Sequence, residues 1–160
     1  MKADNFPDSP YKRILFCTDF SRNADLAFDY AVDAARRRAG STLYLLHVIP
    51  EPDAQFWKTY IYEVEGVDEK AKTDVDAKIA ETYTPHVPAG LDFQVHVRIG
   101  KDYSEILRFA SENKADLIVM GRHGHSSFGE FLFGSVAEKV VKKAHCAVLV
   151  VPMDFAEKTE

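Results

Sequence analysis

The residues best suited to chemistry are three glycines and a serine in the second half of the chain. Gly121 and Gly124 lie three residues apart, and Gly134 is followed directly by Ser135. Glycine lets a backbone approach a ligand closely, and the first turn of a helix offers unpaired N–H groups and a partial positive charge. The pattern therefore favours a phosphate site built from backbone, with Arg122 placed to add a direct contact.

The same residues also have a purely structural interpretation, which the spacing leaves open. Ser135 and Glu138 have the spacing of a helix capping box, which by itself would account for the serine. Glycines after strands are common turn residues. Two familiar phosphate loops are excluded, because Ser135 stands where a P-loop needs lysine and no G-x-G-x-x-G follows the first strand.

Two histidines, His123 and His125, bracket Gly124 and raise the question of a metal site. Zinc sites use three or four protein ligands, and the sequence defines no third one here. We therefore expect these histidines to be solvated and predict no metal ligands among the side chains.

The elements that position these residues alternate between strand-like runs and helical periodicity. The predicted strands are Arg13–Thr18, Thr42–Ile49, Asp92–Ile99, Leu117–Met120 and Ala147–Val151, and the helical patterns begin at Asn23, Val67, Asp102 and Ser135. This order predicts an α/β fold, an open doubly wound parallel sheet with right-handed crossovers. Ligands of such folds bind beyond the carboxyl ends of the strands, which points to Asp19 and to the loop that starts at Gly121.

Length and composition fit one globular domain. The chain has 160 residues, of which 46% are hydrophobic and 28% charged, enough apolar material for one core. Its net charge of −5 opposes binding to duplex nucleic acid or to an anionic membrane. No apolar run approaches the roughly 20 residues of a membrane span, and the polar residues 1–12 predict no signal peptide. We expect a cytoplasmic protein with no nucleic acid and no membrane among its partners.

With these motifs in view, the sequence resembles the universal stress protein family. The full spacing Gly-x2-Gly-x9-Gly-Ser, at Gly121, Gly124, Gly134 and Ser135, is the signature of the branch that binds ATP. Further similar segments are Thr18–Ser21, Leu45–Val48, Ala115–Gly121, Gly134–Glu138 and Ala147–Pro152. The resemblance implies a five-stranded parallel sheet of order 3-2-1-4-5 in a domain of residues 11–152. Residues 1–10 would be a flexible extension and 153–160 a tail.

The resemblance also implies which positions contact the ligand, ATP with Mg²⁺. Asp19 would contact the adenosine, Thr18 would line the same pocket, and Val48 would meet the adenine edge through its backbone. Met120 and Gly121 would flank the ribose and the α-phosphate. The phosphates would be held by Gly124, Gly134, Ser135 and Val136, and the metal ion mostly by phosphate and water oxygens.

Two positions depart from the family pattern: Cys17 stands where proline is usual, and Phe20 where glycine is frequent. Phe20 is bulky and is expected to narrow the adenine pocket. Cys17 is interpreted as a small buried residue, since no neighbouring base would activate it. His47 is interpreted as an ordinary packed histidine, and packing is the favoured role for Trp57, Tyr60 and Tyr62.

Three functions remain open from the sequence. The first is an ATP-binding regulatory protein of the stress response, whose conformation or association depends on the nucleotide. The second is an enzyme, a slow ATPase or a self-phosphorylating protein, although no arginine finger is identifiable and Asp19 is the only plausible acid. The third is a structural dimer module without nucleotide. The resemblance also implies a homodimer through the last strand, Ala147–Val151, whose unprotected edge invites pairing.

Overall fold

The computed structural model describes residues 9–50, 67–123 and 134–153. The chain alternates strands and helices: β1 Arg13–Cys17, α1 Arg22–Arg36, β2 Thr42–Pro50, α2 Val67–Thr82, a short 3₁₀ turn Thr84–His86, β3 Asp92–Gly100, α3 Asp102–Glu112, β4 Leu117–Gly121, α4 Ser135–Lys143 and β5 Ala147–Val151. The extension and tail predicted from the sequence fall almost wholly outside the described residues. So do Gly124, His125, Trp57, Tyr60 and Tyr62.

The five strands form one parallel sheet in the order β3-β2-β1-β4-β5, which confirms the predicted fold. β1 lies at the centre because its apolar run is covered on both faces. Ile14, Leu15 and Phe16 have no exposed surface. Since β1 connects to β2 on one side and pairs with β4 on the other, the strand order reverses at β1. A crevice therefore opens beyond its carboxyl end.

Two apolar layers sandwich the sheet. On one face α1 packs through a stripe of alanines with Phe28, and α2 adds Ile79, followed directly by Tyr83 after the helix ends. On the other face α3 and α4 pack through Ile106, Phe109, Ala137 and Val140. The buried stripe of α3 consists of Ile106, Phe109 and Ala110, and Leu107 is only half-buried.

Asp102 and Glu105, at the start of α3, have the spacing of a capping box but do not form one. Lys101 is the N-cap residue, and no side chain caps the helix. Asp102 instead accepts a hydrogen bond from the N–H of Tyr103 at 2.7 Å. Glu105 pairs with Arg108 at 2.7 Å and with Arg98 at 3.6 Å. Glu105 therefore ties α3 to β3 rather than closing the first turn of the helix.

Candidate functional site

A cavity of about 360 Å³ opens at the carboxyl ends of β1, β2 and β4, between the first turns of α1, α3 and α4. Parallel strands bring their carboxyl ends to one edge of the sheet, so segments distant in sequence meet there. Of the ten site residues predicted from the sequence, nine line this cavity: Thr18, Asp19, Val48, Met120, Gly121, Arg122, Gly134, Ser135 and Val136. The tenth, Gly124, lies outside the described residues.

Thr18 fixes the end of β1 through an unusually complete set of bonds. Its N–H donates to Leu46 O at 3.1 Å, and its carbonyl lies 2.7 Å from Nδ1 of His47. Its hydroxyl lies 2.5 Å from the hydroxyl of Tyr83, which in turn donates to Asp25 Oδ1 at 2.6 Å. Because Tyr83 donates to Asp25, Thr18 must be the donor to Tyr83. The Thr18 hydroxyl is thus turned toward the core, and the residue shapes the cavity rather than reaching into it.

Asp19 follows as an exposed residue at the rim. Its Oδ1 accepts a hydrogen bond from the N–H of Ser21 at 3.0 Å, which makes a tight turn between β1 and α1. The N-cap of α1 is Ser21, whose hydroxyl accepts from Ala24 N at 3.1 Å. Asp19 is therefore a turn residue but not the helix cap, and its carboxylate lies against the cavity.

Phe20 adopts a left-handed backbone with φ of 63°, a conformation that costs a non-glycine residue about 1–3 kcal/mol. Its ring packs on His47 at 4.7 Å and on Tyr83 at 6.1 Å between centroids, with Lys78 Nζ 4.3 Å from the ring centre. Phe20 is not among the residues that line the cavity. The expectation that it narrows the pocket is therefore wrong, because the left-handed turn directs the ring toward α2.

Val48 presents its backbone to the cavity because β2 is longer than β1. The ladder between the two strands ends at the pair Cys17–Leu46, and Leu46 O accepts from the N–H of Thr18. Alternate residues of a strand direct their N–H and C=O groups to the same side. Val48 therefore directs its N–H and C=O groups to the β1 side of the strand, at a level beyond the last residue of β1.

The described ends of the glycine loop are joined by backbone bonds. Arg122 N donates to Val151 O at 3.0 Å, and Gly134 N donates to Arg122 O at 2.9 Å. The Arg122 side chain turns to its neighbour, with Nε 3.0 Å from His123 Nε2. These backbone bonds join the two ends of the loop to each other and to the end of β5. We call this set of bonds the frame of the glycine loop.

The first turn of α4 excludes one of the two interpretations of Ser135. Gly134 is the N-cap, with φ of −59° and ψ of 146°, and no side chain caps the helix. Glu138 pairs with Lys142 at 2.6 Å instead of reaching back. The capping-box interpretation is therefore wrong: Ser135 is the first helical residue and is exposed on the cavity wall, beside the unpaired N–H groups of the helix start.

Sequence reasoning missed several polar residues of the wall, among them His47 and Asp102. Both lie at carboxyl ends of strands or directly after them, which is the signal that could have found them. Burial lowers the pKa of His47, partly opposed by its bond to the Thr18 carbonyl and by Asp19. Burial raises the pKa of the Cys17 thiol, so this wall residue stays protonated, as a structural cysteine would.

Metal-ligating side chains are sparse at the site. Within the described parts of the chain, no group of three or more His, Cys, Asp and Glu side chains is arranged to hold an ion. Asp19 and Asp102 are the carboxylates among the lining residues. A hard divalent ion at this position would need most of its ligands from water and from the bound molecule.

The sequence of this chain is similar to those of known proteins. The model of the universal stress protein family matches residues 10–152. Universal stress protein MJ0577 of Methanocaldococcus jannaschii is 30% identical over 88% of this chain and 94% of its own length. A putative universal stress protein of Staphylococcus aureus is 33% identical over 91% of this chain and 89% of its own.

Solved structures agree. The structure of MJ0577 superposes with a TM-score of 0.76 at 31% identity, covering 89% of this chain and 96% of that one. Universal stress protein UspA of Lactobacillus plantarum gives a TM-score of 0.70 at 27% identity, over 88% of this chain and 97% of that one.

Proposed function

Because the chain belongs to the universal stress protein family, we propose that it is a regulatory protein of the stress response that binds ATP in the cavity beyond β1. The observation that carries this proposal is the convergence of nine predicted site residues on one cavity, with the start of α4 on its wall. The proposal assigns the phosphates to the α4 side and the adenosine to the β2 side.

The phosphate assignment rests on the exposed first turn of α4. Gly134, Ser135 and Val136 line the cavity, and the first N–H groups of a helix have no partner within it. These groups and the helix dipole favour an anion. The serine hydroxyl, which does not cap the helix, adds a donor at the same place. Arg122 and Gly121 flank this turn from β4, and Gly124 is proposed on the strength of the signature alone.

The adenosine assignment rests on the free stretch of β2. Val48 offers one N–H and one C=O past the end of β1, the donor and acceptor pair that an adenine edge can match. Thr18 and Met120 close the pocket from β1 and β4, and Asp19 is placed at the rim, where its carboxylate would accept from ribose hydroxyls. The bonds that hold Thr18 would keep this half of the site rigid.

Two further proteins of the same fold are known in complex with adenine nucleotides. One is a universal stress protein with cAMP, at 22% identity and a TM-score of 0.64. The other is the protein of Archaeoglobus fulgidus with dAMP, at 24% identity and a TM-score of 0.58. At this identity the likeness to this chain is one of fold, so the case for a nucleotide here rests on the cavity itself.

Binding rather than turnover is the proposed activity. Hydrolysis requires a group that positions water and charge that stabilises the transition state. Among the described lining residues, both carboxylates already accept hydrogen bonds from neighbouring backbone N–H groups. Mg²⁺ would accompany ATP, held by phosphate and water oxygens with Asp19 or Asp102 at its outer shell.

The test is titration calorimetry of the full chain, freed of nucleotide, with ATP, ADP and AMP in the presence and absence of Mg²⁺. We expect one site per chain and an affinity that rises with the number of phosphates. Gly134→Val adds bulk beside the cavity at a backbone conformation that valine tolerates, so it should abolish binding in a folded protein. Ala77→Val, on the exposed face of α2, is the matched control. No binding of any nucleotide by the unmodified chain would overturn the proposal.

The proposal includes a homodimer formed through β5. This strand lies at the sheet edge, and Leu149 on it is 37% exposed, while Val141 on α4 is 47% exposed. An exposed apolar edge strand readily pairs with a copy of itself.

The proposed compartment is the cytoplasm, where the free thiols of Cys17 and Cys146 would stay reduced. In the described residues, no helix has the length and apolar character needed to cross a bilayer.

A further inference from the structure

One buried amide, that of Asn23, joins three parts of the fold that are far apart in sequence and meet beside the cavity. Asn23 lies in the first turn of α1 and is 4% exposed. Its Nδ2 donates to the carbonyl of Val151, the last residue of β5, at 2.7 Å. Its Oδ1 accepts from the N–H of His123, the last described residue in the first part of the glycine loop, at 2.9 Å. The amide thus satisfies a donor and an acceptor in two different segments.

The fit around Asn23 is tight enough to dictate a neighbour. A Cβ atom added to Gly121 would lie 2.8 Å from Cγ of Asn23 and 3.1 Å from its backbone carbonyl carbon. Side-chain atoms essentially never approach this closely, so only glycine lets β4 end against the start of α1. The first glycine of the signature therefore has a packing role, in addition to any contact with a ligand.

The bonds of Asn23 extend into the frame of the glycine loop. Val151 O accepts from both Asn23 Nδ2 and Arg122 N, and Arg122 O accepts from Gly134 N. A carbonyl oxygen has two lone pairs, so both acceptor positions of Val151 are used. Removing the amide would take the Asn23 acceptor away from the N–H of His123. It would also break the bond between α1 and the Val151 carbonyl of the frame.

We infer that Asn23 is a positioning residue for the phosphate half of the site: it fixes Arg122 and His123 against the start of α4 and fastens them to the end of β5. This inference rests on the proposed function for its effect on nucleotide affinity. The contacts themselves are present without any ligand. The two levels can therefore be tested separately.

The first measurement needs no nucleotide. Amide hydrogen exchange of the full chain, followed by NMR, should show faster exchange at His123 N–H in Asn23→Ala, by roughly tenfold for the loss of one buried bond. The Thr42 N–H is an internal control, because it donates to Lys12 O at 2.8 Å at the opposite end of the sheet. Unchanged exchange at His123 in folded Asn23→Ala would overturn the inference.

The second measurement compares ATP with adenosine. Asn23→Ala should weaken ATP binding by roughly tenfold and adenosine binding by less than about threefold, since the amide acts on the phosphate half. Asn113 is the matched control: its Nδ2 also donates to a backbone carbonyl, that of Phe109 at 3.0 Å, but at the far end of α3. Asn113→Ala should leave both affinities unchanged. Equal loss of ATP and adenosine would mean a merely structural role.

Asn23→Asp tests whether the effect depends on the two hydrogen bonds of the amide. A carboxylate can accept from His123 N–H but cannot donate to Val151 O, whereas the protonated acid can do both. The ATP affinity of Asn23→Asp, taken relative to the unmodified chain at each pH, should therefore recover as pH falls from 8 toward 5.5. Asn23→Ala should show no such recovery. If the unmodified chain binds no ATP, the proposed function fails, while hydrogen exchange at His123 still decides the role of Asn23.

Discussion

A serine hydroxyl at the start of a helix can either cap the helix or bind a group outside it. At Ser135 the backbone excludes capping. Gly134 is the N-cap, so Ser135→Ala should change the free energy of unfolding by less than about 0.5 kcal/mol. The same substitution should weaken ATP binding by roughly tenfold, the cost of one hydrogen bond to a charged group, and adenosine binding far less. Calorimetry and urea denaturation measure the two effects.

Ser21→Ala provides the contrast for Ser135. Ser21 does cap a helix, through its bond from Ala24 N, so its loss should cost about 1 kcal/mol of stability. If Ser135→Ala proved as destabilising as Ser21→Ala, the cap would lie at Ser135 after all, and the phosphate role of its hydroxyl would lose its support.

His47 makes the stability of the protein depend on pH in a defined direction. Its pKa in the folded chain lies below the ordinary value of 6.5 because burial disfavours the charged ring. Above pH 6.5 the ring is neutral in both states. As pH falls further the unfolded chain takes up the proton first, so the free energy of unfolding decreases. His47→Gln should therefore lose less stability than the unmodified chain between pH 7.5 and 5.5.

Thermal unfolding at several pH values measures this difference, with Asp19 and Lys78 as the charged groups that act on His47. His86, exposed in the 3₁₀ turn, gives the matched variant His86→Gln. A steeper loss of stability in His47→Gln than in the unmodified chain would contradict the assigned direction.

At the scale of elements, the contact between α1 and β4 depends on a missing side chain. Gly121→Ala would force a Cβ atom to within 2.8 Å of Asn23 Cγ, so the two elements must move apart. Such overpacking typically costs 1–3 kcal/mol, and we expect about 2 kcal/mol from urea denaturation. Because the close atoms belong largely to the Asn23 side chain, the double variant with Asn23→Ala should cost less than the sum of its parts. Simple additivity would place the strain elsewhere.

The elements themselves were largely predictable, whereas their polar connections were not. All five strands were predicted to within one residue at each end, because buried parallel strands are short apolar runs bounded by polar or glycine residues. The predicted residues could be expected to lie around one cavity because the carboxyl ends of parallel strands share one edge of the sheet. Asn23 could not be found this way, since its partners lie 100 and 128 residues away and an asparagine in a first helical turn carries no signal of burial.

The position of the α4 cap shows a second limit of prediction. Both Gly134 and Ser135 are good N-cap residues, and Glu138 completes a capping box only if the helix begins one residue later than it does. The bond from Gly134 N to Arg122 O fixes the start of the helix. That bond is a tertiary contact, which spacing along the chain cannot reveal.

At the scale of the whole molecule, the exposed edge of β5 is where we expect copies of the chain to associate. If β5 forms the proposed dimer, Leu149→Lys should place a charge in the interface and shift the protein toward monomer, as measured by sedimentation velocity. Ala77→Lys, on the exposed face of α2, adds the same charge away from β5 and should leave association unchanged. A dimer that persists in Leu149→Lys with undiminished affinity would place the interface elsewhere.

Val151 gives this association a thermodynamic consequence. The residue ends the edge strand, and its carbonyl also holds Asn23 and Arg122, so one peptide group is common to the proposed interface and the proposed phosphate site. If pairing of β5 strengthens nucleotide binding by a given free energy, bound nucleotide must strengthen the pairing by the same free energy. The monomer–dimer equilibrium would then shift with the nucleotide concentration. The size of this shift would depend on how rigidly the buried amide of Asn23 holds the Val151 carbonyl.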